Sequence, residues 1–172
     1  MKYIRFAVNG TQKNGIVEGN KIVELKHDFL VDAKERTGNE YARDDVTVLP
    51  PVMPGKVVAI GLNYVKHAEE VNKKLPEEPM MFMVSPSAVI GHQDTIKLPT
   101  LEHRIDYEAE LAIVIGKRAK FVKKENALDY IFGYTCGNDV SDRVLQKKDI
   151  QYTRAKSFHT FKPLGPVIET DL

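Results

Sequence analysis

Residues Ile105–Ile115 read Ile-Asp-Tyr-Glu-Ala-Glu-Leu-Ala-Ile-Val-Ile, with acids at every second position followed by an almost wholly apolar run. This spacing predicts a strand, and alternation across a strand puts Asp106, Glu108 and Glu110 on one face. Three carboxylates in a row repel one another and are costly to take out of water, so such a face is either wet or holds a cation. The run Leu111–Ile115 argues against a wet strand. A core strand that emerges into a cleft, carrying the first half of a hard-cation site, satisfies both halves of the segment.

The rest of the chain predicts a β-rich α+β fold. Tyr3–Val8, Gly15–Val17 and Lys21–Leu25 are short strand candidates, separated by the turn pairs Asn9-Gly10, Asn14-Gly15 and Gly19-Asn20. A polar stretch, Asp32–Asp45, leads to Leu49-Pro50-Pro51-Val52-Met53-Pro54-Gly55, a Pro/Gly cluster that reads as a domain boundary. We therefore expect a small N-terminal β unit over residues 1–50 and a larger domain over 51–172. In the latter, Lys56–Leu62 reads as a buried strand and Asn63–Lys74 as a short helix capped by Asn63. Met80–Val84, Ala88–Ile90, Glu108–Ile115 and Ile131–Thr135 supply further strands. At 172 residues the chain can bury one sizeable core with a small appendage.

Charge excludes two kinds of partner. The 25 basic and 24 acidic residues are spread along the chain without blocks, so neither nucleic acid nor a membrane surface is an expected ligand. The N-terminus lacks a long apolar signal region, and no run of about 18 apolar residues occurs, which points to a cytoplasmic protein. The single cysteine, Cys136, rules out an intrachain disulfide and a Cys-rich zinc motif. Its place in the apolar run Ile131–Cys136 makes it a core residue rather than a nucleophile.

A second acidic cluster, Asn138-Asp139-Val140-Ser141-Asp142-Arg143, follows the Ile131–Cys136 strand. Asp139 can complete a three-carboxylate site with Glu108 and Glu110, because sheets expose ligands at strand ends and in the loops after them. An oxygen-only set suits magnesium, manganese or calcium rather than zinc or copper. The plainer alternative is that Asp139 and Asp142 simply start the next helix. His67 and Glu70, three apart on the helix after Asn63, share a face and can act as a general base with an orienting carboxylate, although such a pair is more often solvated. Lys156 is unremarkable by itself, and His27, His92 and His103 have no partner at ligand spacing and are read as structural.

Taken in order, Val57–Tyr64, His67–Glu70, Asp106–Leu111, Gly133–Arg143, Lys156-Ser157-Phe158 and Pro163-Leu164-Gly165-Pro166 resemble the fumarylacetoacetate hydrolase family. The resemblance runs from about Lys56 to Ile168, and the β unit before Pro50 is similar to that of bacterial members acting on small 2-oxo acids. It implies a mixed β-roll and a divalent cation, magnesium or manganese, with calcium able to substitute in crystals. Glu108, Glu110 and Asp139 fall at the family's metal ligands, and His67 and Glu70 at its catalytic dyad. Lys156 and Arg143 fall where relatives polarise or bind substrate, and Asn63 and Tyr64 are candidate substrate contacts beside them. A homodimer is also implied.

The chemistry implied by the resemblance passes through an enolate. A 2-oxo acid chelates the cation, which withdraws charge from the keto group. C–C bond hydrolysis of an acylpyruvate or fumarylacetoacetate-type substrate would use water activated by His67 with Glu70, whereas decarboxylation of an oxaloacetate-type acid needs no such water. Isomerisation of an unsaturated 2-oxo diacid, of the 2-hydroxyhepta-2,4-diene-1,7-dioate type, would use the same enolate. The sequence departs from the family's pattern at Val84, where a lysine is common, and at His159, where an aspartate is common. Relatives continue past the position of Leu172, so the larger domain is expected to be incomplete at its C-terminus. An incomplete roll exposes apolar surface and strand edges, and a non-catalytic binding or scaffold module is the alternative expectation.

Overall fold

The computed structural model describes residues 1–172. Seven strands make the main sheet's path: β1 (Lys2–Val8), β2 (Thr11–Glu18), β3 (Lys21–Leu25) and β4 (Arg36–Ala42) from the N-terminal segment, with β10 (Ala109–Ile115), β11 (Ile131–Asn138) and β13 (Lys162–Glu169). Their order is β10-β11-β13-β1-β2-β3-β4. Short β5 (Thr47–Val48) pairs with β1, and β8 (Val89–Ile90) runs parallel to β13, which makes the sheet mixed. Two small pairs stand apart: β6 (Val57–Gly61) with β7 (Met80–Val84), and β9 (Ile105–Asp106) with β12 (Ser141–Asp142). Helices are short: α1 (Val65–Glu70), α2 (Arg143–Lys148) and α3 (Thr153–Lys156).

β1 is the element around which the core forms. Tyr3, on one face, packs with Ile16, Leu25, Phe29, Val114 and Ile168, and Ile4 and Phe6 pack with Ile22 in a second cluster. Tyr3, Phe29 and Phe132 close an aromatic trio, with ring centroids 5.1–5.6 Å apart. Residues 1–51 and 56–172 therefore share a sheet, joined where Lys2 and Tyr3 pair with Glu169 and Ile168.

Several expectations are corrected. Asn14-Gly15 is no turn but lies inside β2, where a side chain at Gly15 would place its Cβ 2.5 Å from Ile22 Cγ2 and 2.9 Å from Val23 O. The glycine serves close packing there, whereas Asn9 and Gly10 both take positive φ and form the expected tight turn. The polar stretch Asp32–Asp45 contains β4, an edge strand whose residues are nearly all exposed and so carry no apolar alternation. The helix expected over Asn63–Lys74 covers only Val65–Glu70. Tyr64 rather than Asn63 precedes it, and Asn72 in the left-handed region ends it, with Asn72 N donating to Glu69 O and Lys73 N to Ala68 O. The strand at Lys56–Leu62 is half-buried, not buried. Cys136 is exposed, opposite Leu111 on the outward face of the β10-β11 edge, and is not a core residue.

The acid-bearing segment is also not one strand. Tyr107 and Glu108 break it into β9, which pairs with β12, and β10, which pairs with β11. Along β10, Val114 turns into the core, whereas Leu111, Ile113 and Ile115 are 57%, 52% and 56% exposed. The apolar run thus covers the core with one face only.

Candidate active site

The ends of β9, β10, β11 and β12 bring the acids of the two clusters together. Asp139 N donates to Glu108 O at 2.9 Å, and Glu108 N donates to the Asn138 side chain at 3.1 Å, so the backbone itself fixes Glu108 beside Asp139. Ser141 Oγ reaches Glu108 Oε2 at 2.9 Å. Lys156, nearly fully buried at the end of α3, bridges the two acids: its Nζ lies 2.7 Å from Glu108 Oε2 and also contacts Asp139 Oδ2. The α3 helix is held against β7, where Thr153 Oγ1 donates to Met83 O at 2.8 Å and the Lys156 ammonium stands 5.4 Å over the Phe82 ring. Val84, at the end of β7, is fully buried as an apolar residue.

Arg143, the first residue of α2, closes the other side. Its Nη2 donates to Glu108 Oε1 at 2.7 Å and its Nε to Asp106 Oδ2 at 2.9 Å. Asp106 therefore faces arginines, Arg104 as well as Arg143, and not the other carboxylates. Burial alone would push the Glu108 carboxyl up, but Lys156 and then Arg143 outweigh it and hold it at about 2. Glu110 goes the other way. Burial raises it, a hydrogen bond from Tyr64 opposes the rise, and the charges of Asp139 and Glu108 add to it.

His67 lies at the edge of this group, with Nδ1 3.6 Å from Glu70 Oε2 and Nε2 3.7 Å from Glu108 Oε1. The imidazole thus has a carboxylate facing each nitrogen. Tyr64, at the start of α1, accepts a hydrogen bond from Leu111 N at 3.2 Å and so ties the helix to β10, while Asn63 is exposed beside it. The structure brings together His67, Glu70, Glu108, Asp139, Arg143 and Lys156 by direct contact, with Glu110 near enough to feel the charges of Asp139 and Glu108. No three acids or histidines are gathered closely enough to form a metal cluster, because the Lys156 ammonium lies between Glu108 and Asp139. A cavity of about 740 Å³ beside α2 and α3, lined by Asp149, Arg154 and Phe158 among others, contains none of the site carboxylates.

Lys162 and Gln146 were not singled out from sequence, and Asp142 and His103 were read there without the contact between them. Lys162 is buried at the start of β13 with its Nζ 2.7 Å from Asp139 Oδ1. Burial pulls its ammonium down to about 8, against the pull of Asp139. A lysine inside the otherwise apolar stretch Phe161–Leu164 was the available signal. Gln146 accepts from Arg143 Nη1 at 2.8 Å, one helical turn on. Asp142 is fully buried, and His103, read as unpartnered, places its Nδ1 2.6 Å from Asp142 Oδ2. Asp142 Oδ1 accepts from Val144 N and Leu145 N and caps α2, so the helix-start reading holds for Asp142. Burial pushes the Asp142 carboxyl up, but His103 and the two backbone N–H groups keep it below the ordinary carboxylate range.

The chemistry of Glu108, Glu110 and Asp139, rather than their present spacing, suits a divalent cation. Asp139 Oδ1 is buried and accepts no well-directed hydrogen bond; the Lys162 contact to it is one of charge and proximity, made at a poor angle. Glu110 has no basic partner within salt-bridge distance and stands beside two other carboxylates. All three side chains offer oxygen only, as magnesium or manganese requires.

Comparison with known proteins agrees. The fumarylacetoacetate (FAA) hydrolase C-terminal family matches residues 56–172, and the Rv2993c-like N-terminal family matches residues 1–51. A protein of Archaeoglobus fulgidus is 52% identical over 164 residues, covering 95% of this chain and 62% of the relative. The mitochondrial oxaloacetate tautomerase fahd2 of Xenopus laevis is 42% identical over 156 residues, 87% of this chain and 49% of the relative. Among solved structures, 2-hydroxyhepta-2,4-diene-1,7-dioate isomerase from Mycobacterium marinum superposes with a TM-score of 0.89 at 36% identity, covering all of this chain and 67% of that one. Maleylpyruvate hydrolase from Sphingobium sp. SYK-6, in complex with manganese(II) and pyruvate, does so with a TM-score of 0.76 at 26% identity, covering 99% and 67%. The chain thus spans between about half and two thirds of these relatives. On the match of residues 56–172, which carry every one of the clustered carboxylates, the chain belongs to the fumarylacetoacetate hydrolase family.

Proposed function

We propose that residues 51–172 carry the active site of a divalent-cation-dependent enzyme acting on a small 2-oxo acid through its enolate, with residues 1–50 as a small supporting unit. The observation that carries this reading is the position of His67, between Glu70 and Glu108 at the rim of the carboxylate group. Glu108, Glu110 and Asp139 would hold magnesium or manganese, which supplies charge withdrawal from a keto group. His67, with Glu70 orienting its Nδ1 side, takes a proton from water for C–C bond hydrolysis. Lys156 and Arg143 keep Glu108 ionised and are the cationic donors nearest to an incoming carboxylate. Asn63 and Tyr64 border the same rim.

Hydrolysis of a short acylpyruvate and decarboxylation of an oxaloacetate-type acid are the favoured reactions, with isomerisation of an unsaturated 2-oxo diacid as the alternative. The names of the tautomerase, isomerase and hydrolase relatives support this substrate class. The site would serve a homodimer in the cytoplasm; no helix is long and apolar enough to cross a membrane.

The test is turnover of oxaloacetate and a short acylpyruvate by the 172-residue chain, with manganese and then with EDTA. Manganese-dependent loss above the metal-only background is expected, and Glu108→Ala should abolish it. His67→Ala should abolish acylpyruvate hydrolysis while sparing decarboxylation; hydrolysis preserved in that variant would refute the role of His67. The exposed strip Leu111, Ile113 and Ile115 favours a second reading, a binding module that uses this edge. Absence of turnover in a folded chain that still binds manganese would favour it.

A further inference from the structure

Lys162 is held at the site by backbone carbonyls as well as by charge. Its side chain is 8% exposed, and Nζ donates to Phe161 O at 3.0 Å and Val140 O at 3.2 Å while standing 2.7 Å from Asp139 Oδ1. The strand that carries it, β13, pairs with Val89 of β8 at Lys162 itself and with β11 and β1 further along. Lys156, 5% exposed, reaches the acids from the end of a four-residue helix and is held there by the two carboxylates, with no backbone carbonyl among its partners. Asp139 therefore has an ammonium at each oxygen, one on a long stem from a short helix and one locked between backbone carbonyls.

This arrangement has two consequences for a cation at Glu108, Glu110 and Asp139. Without one, Lys162 supplies a charge partner that holds Asp139 in place in a buried setting where an unpaired carboxylate would be costly. With one, the same fixed positive charge stands against a ligand oxygen and repels the cation through a medium that screens less than water. We propose that Lys162 is a built-in counter-charge that positions Asp139 and deliberately weakens the site's affinity for divalent cations, favouring release and exchange over permanent retention. The inference rests on reading the three carboxylates as cation ligands.

Manganese binding to the 172-residue chain, followed at pH 7 by loss of the free-ion EPR signal, tests both. Lys162→Met and Lys162→Gln should each bind manganese at least tenfold more tightly than the parent, and manganese should raise their melting temperatures by more than it raises the parent's. Lys162→Arg keeps the charge and should stay within about threefold of the parent. If the parent binds and the Met and Gln variants, folded by circular dichroism, bind equally or more weakly, the counter-charge role is overturned while the cation reading stands. If neither parent nor variants bind, the cation reading fails and this inference with it. Should Lys162→Met not fold, Lys162→Gln against Lys162→Arg decides the same point.

Discussion

Replacing Asp142 separates the two jobs that its carboxylate performs. Oδ1 caps α2 by accepting from Val144 N at 3.0 Å and Leu145 N at 2.9 Å, whereas Oδ2 faces His103 Nδ1 at 2.6 Å. The side chain has no solvent exposure. Asp142→Asn retains an oxygen for the cap and loses the charge toward His103, which should cost roughly 1.5–3 kcal/mol, the range for a hydrogen bond to a charged group. Asp142→Ala loses the cap as well, adding about 1 kcal/mol. Urea unfolding at pH 7 in EDTA measures both, and a cycle with His103→Ala should show coupling of at least about 1 kcal/mol between the pair. Because the folded carboxyl is held below its ordinary value of 3.8, this stabilisation is complete above that value and is lost as pH falls through the depressed one. Equal losses in Asp142→Asn and Asp142→Ala would refute the cap, and an additive cycle would refute the pairing. Arg143 begins the helix that Asp142 caps, so kcat/KM should fall further in Asp142→Ala than in Asp142→Asn.

Glu108→Gln, compared with the parent in EDTA, should lower stability at pH 7 by roughly 1.5–3 kcal/mol, the range for hydrogen bonds to a charged group, because Lys156 and Arg143 hold its carboxyl well below 4.5. That contribution is present above 4.5 and disappears as pH falls toward about 2, so the variant's acid unfolding curve should be flatter over this window; parallel curves would refute the ion-pair account. Gly15→Ala should cost about 1–3 kcal/mol, because its Cβ meets Val23 O at 2.9 Å and backbone cannot give way as Ile22 can; thermal unfolding reads this directly.

The cation-site hypothesis is legible in the sequence because it depends on two short-range patterns, acids at alternate positions before an apolar run and an acidic turn after a strand. What those patterns could not show is that Tyr107 and Glu108 interrupt the strand, which sends Asp106 to the arginines and leaves Glu108 facing Asp139. Most N-terminal strands were legible from apolar runs between turn pairs. β4 was not, since an exposed edge strand has no apolar face to reveal it. β13 escaped notice for the opposite reason. It carries Pro163 and Pro166, residues that argue against a central strand, yet it lies between β11 and β1, with the register to β11 shifting between Tyr134 and Cys136. The apolar stretch around Lys162 marks it as buried, but its partner Asp139, like the pairing of His103 with Asp142, lies far away in sequence, and no local pattern encodes either contact.

The antiparallel pairing of β11 and β13 ties the site to the N-terminal strands. The end of β11 delivers Asn138 and then Asp139, and the start of the neighbouring β13 delivers Lys162. At the far end of the same pair, Gly133 leaves no room: a Cβ there would lie 2.6 Å from both Glu169 O and Ile168 Cγ2, and these two residues are the ones that pair with Lys2 and Tyr3 of β1. Gly133→Ala must therefore push β11 away from β13, because the carbonyl is held in the sheet and the side chain of Ile168 is fully buried. The strain costs about 1–3 kcal/mol locally. It should also reach the other end, loosening the contact of Lys162 with Asp139 and shifting manganese affinity several-fold in a protein that remains folded. If unfolding measurements show the expected loss while manganese binding is unchanged, the sheet does not transmit position from the Gly133 end to the acids, and the site's geometry is set by the local Glu108–Asp139 backbone contacts alone.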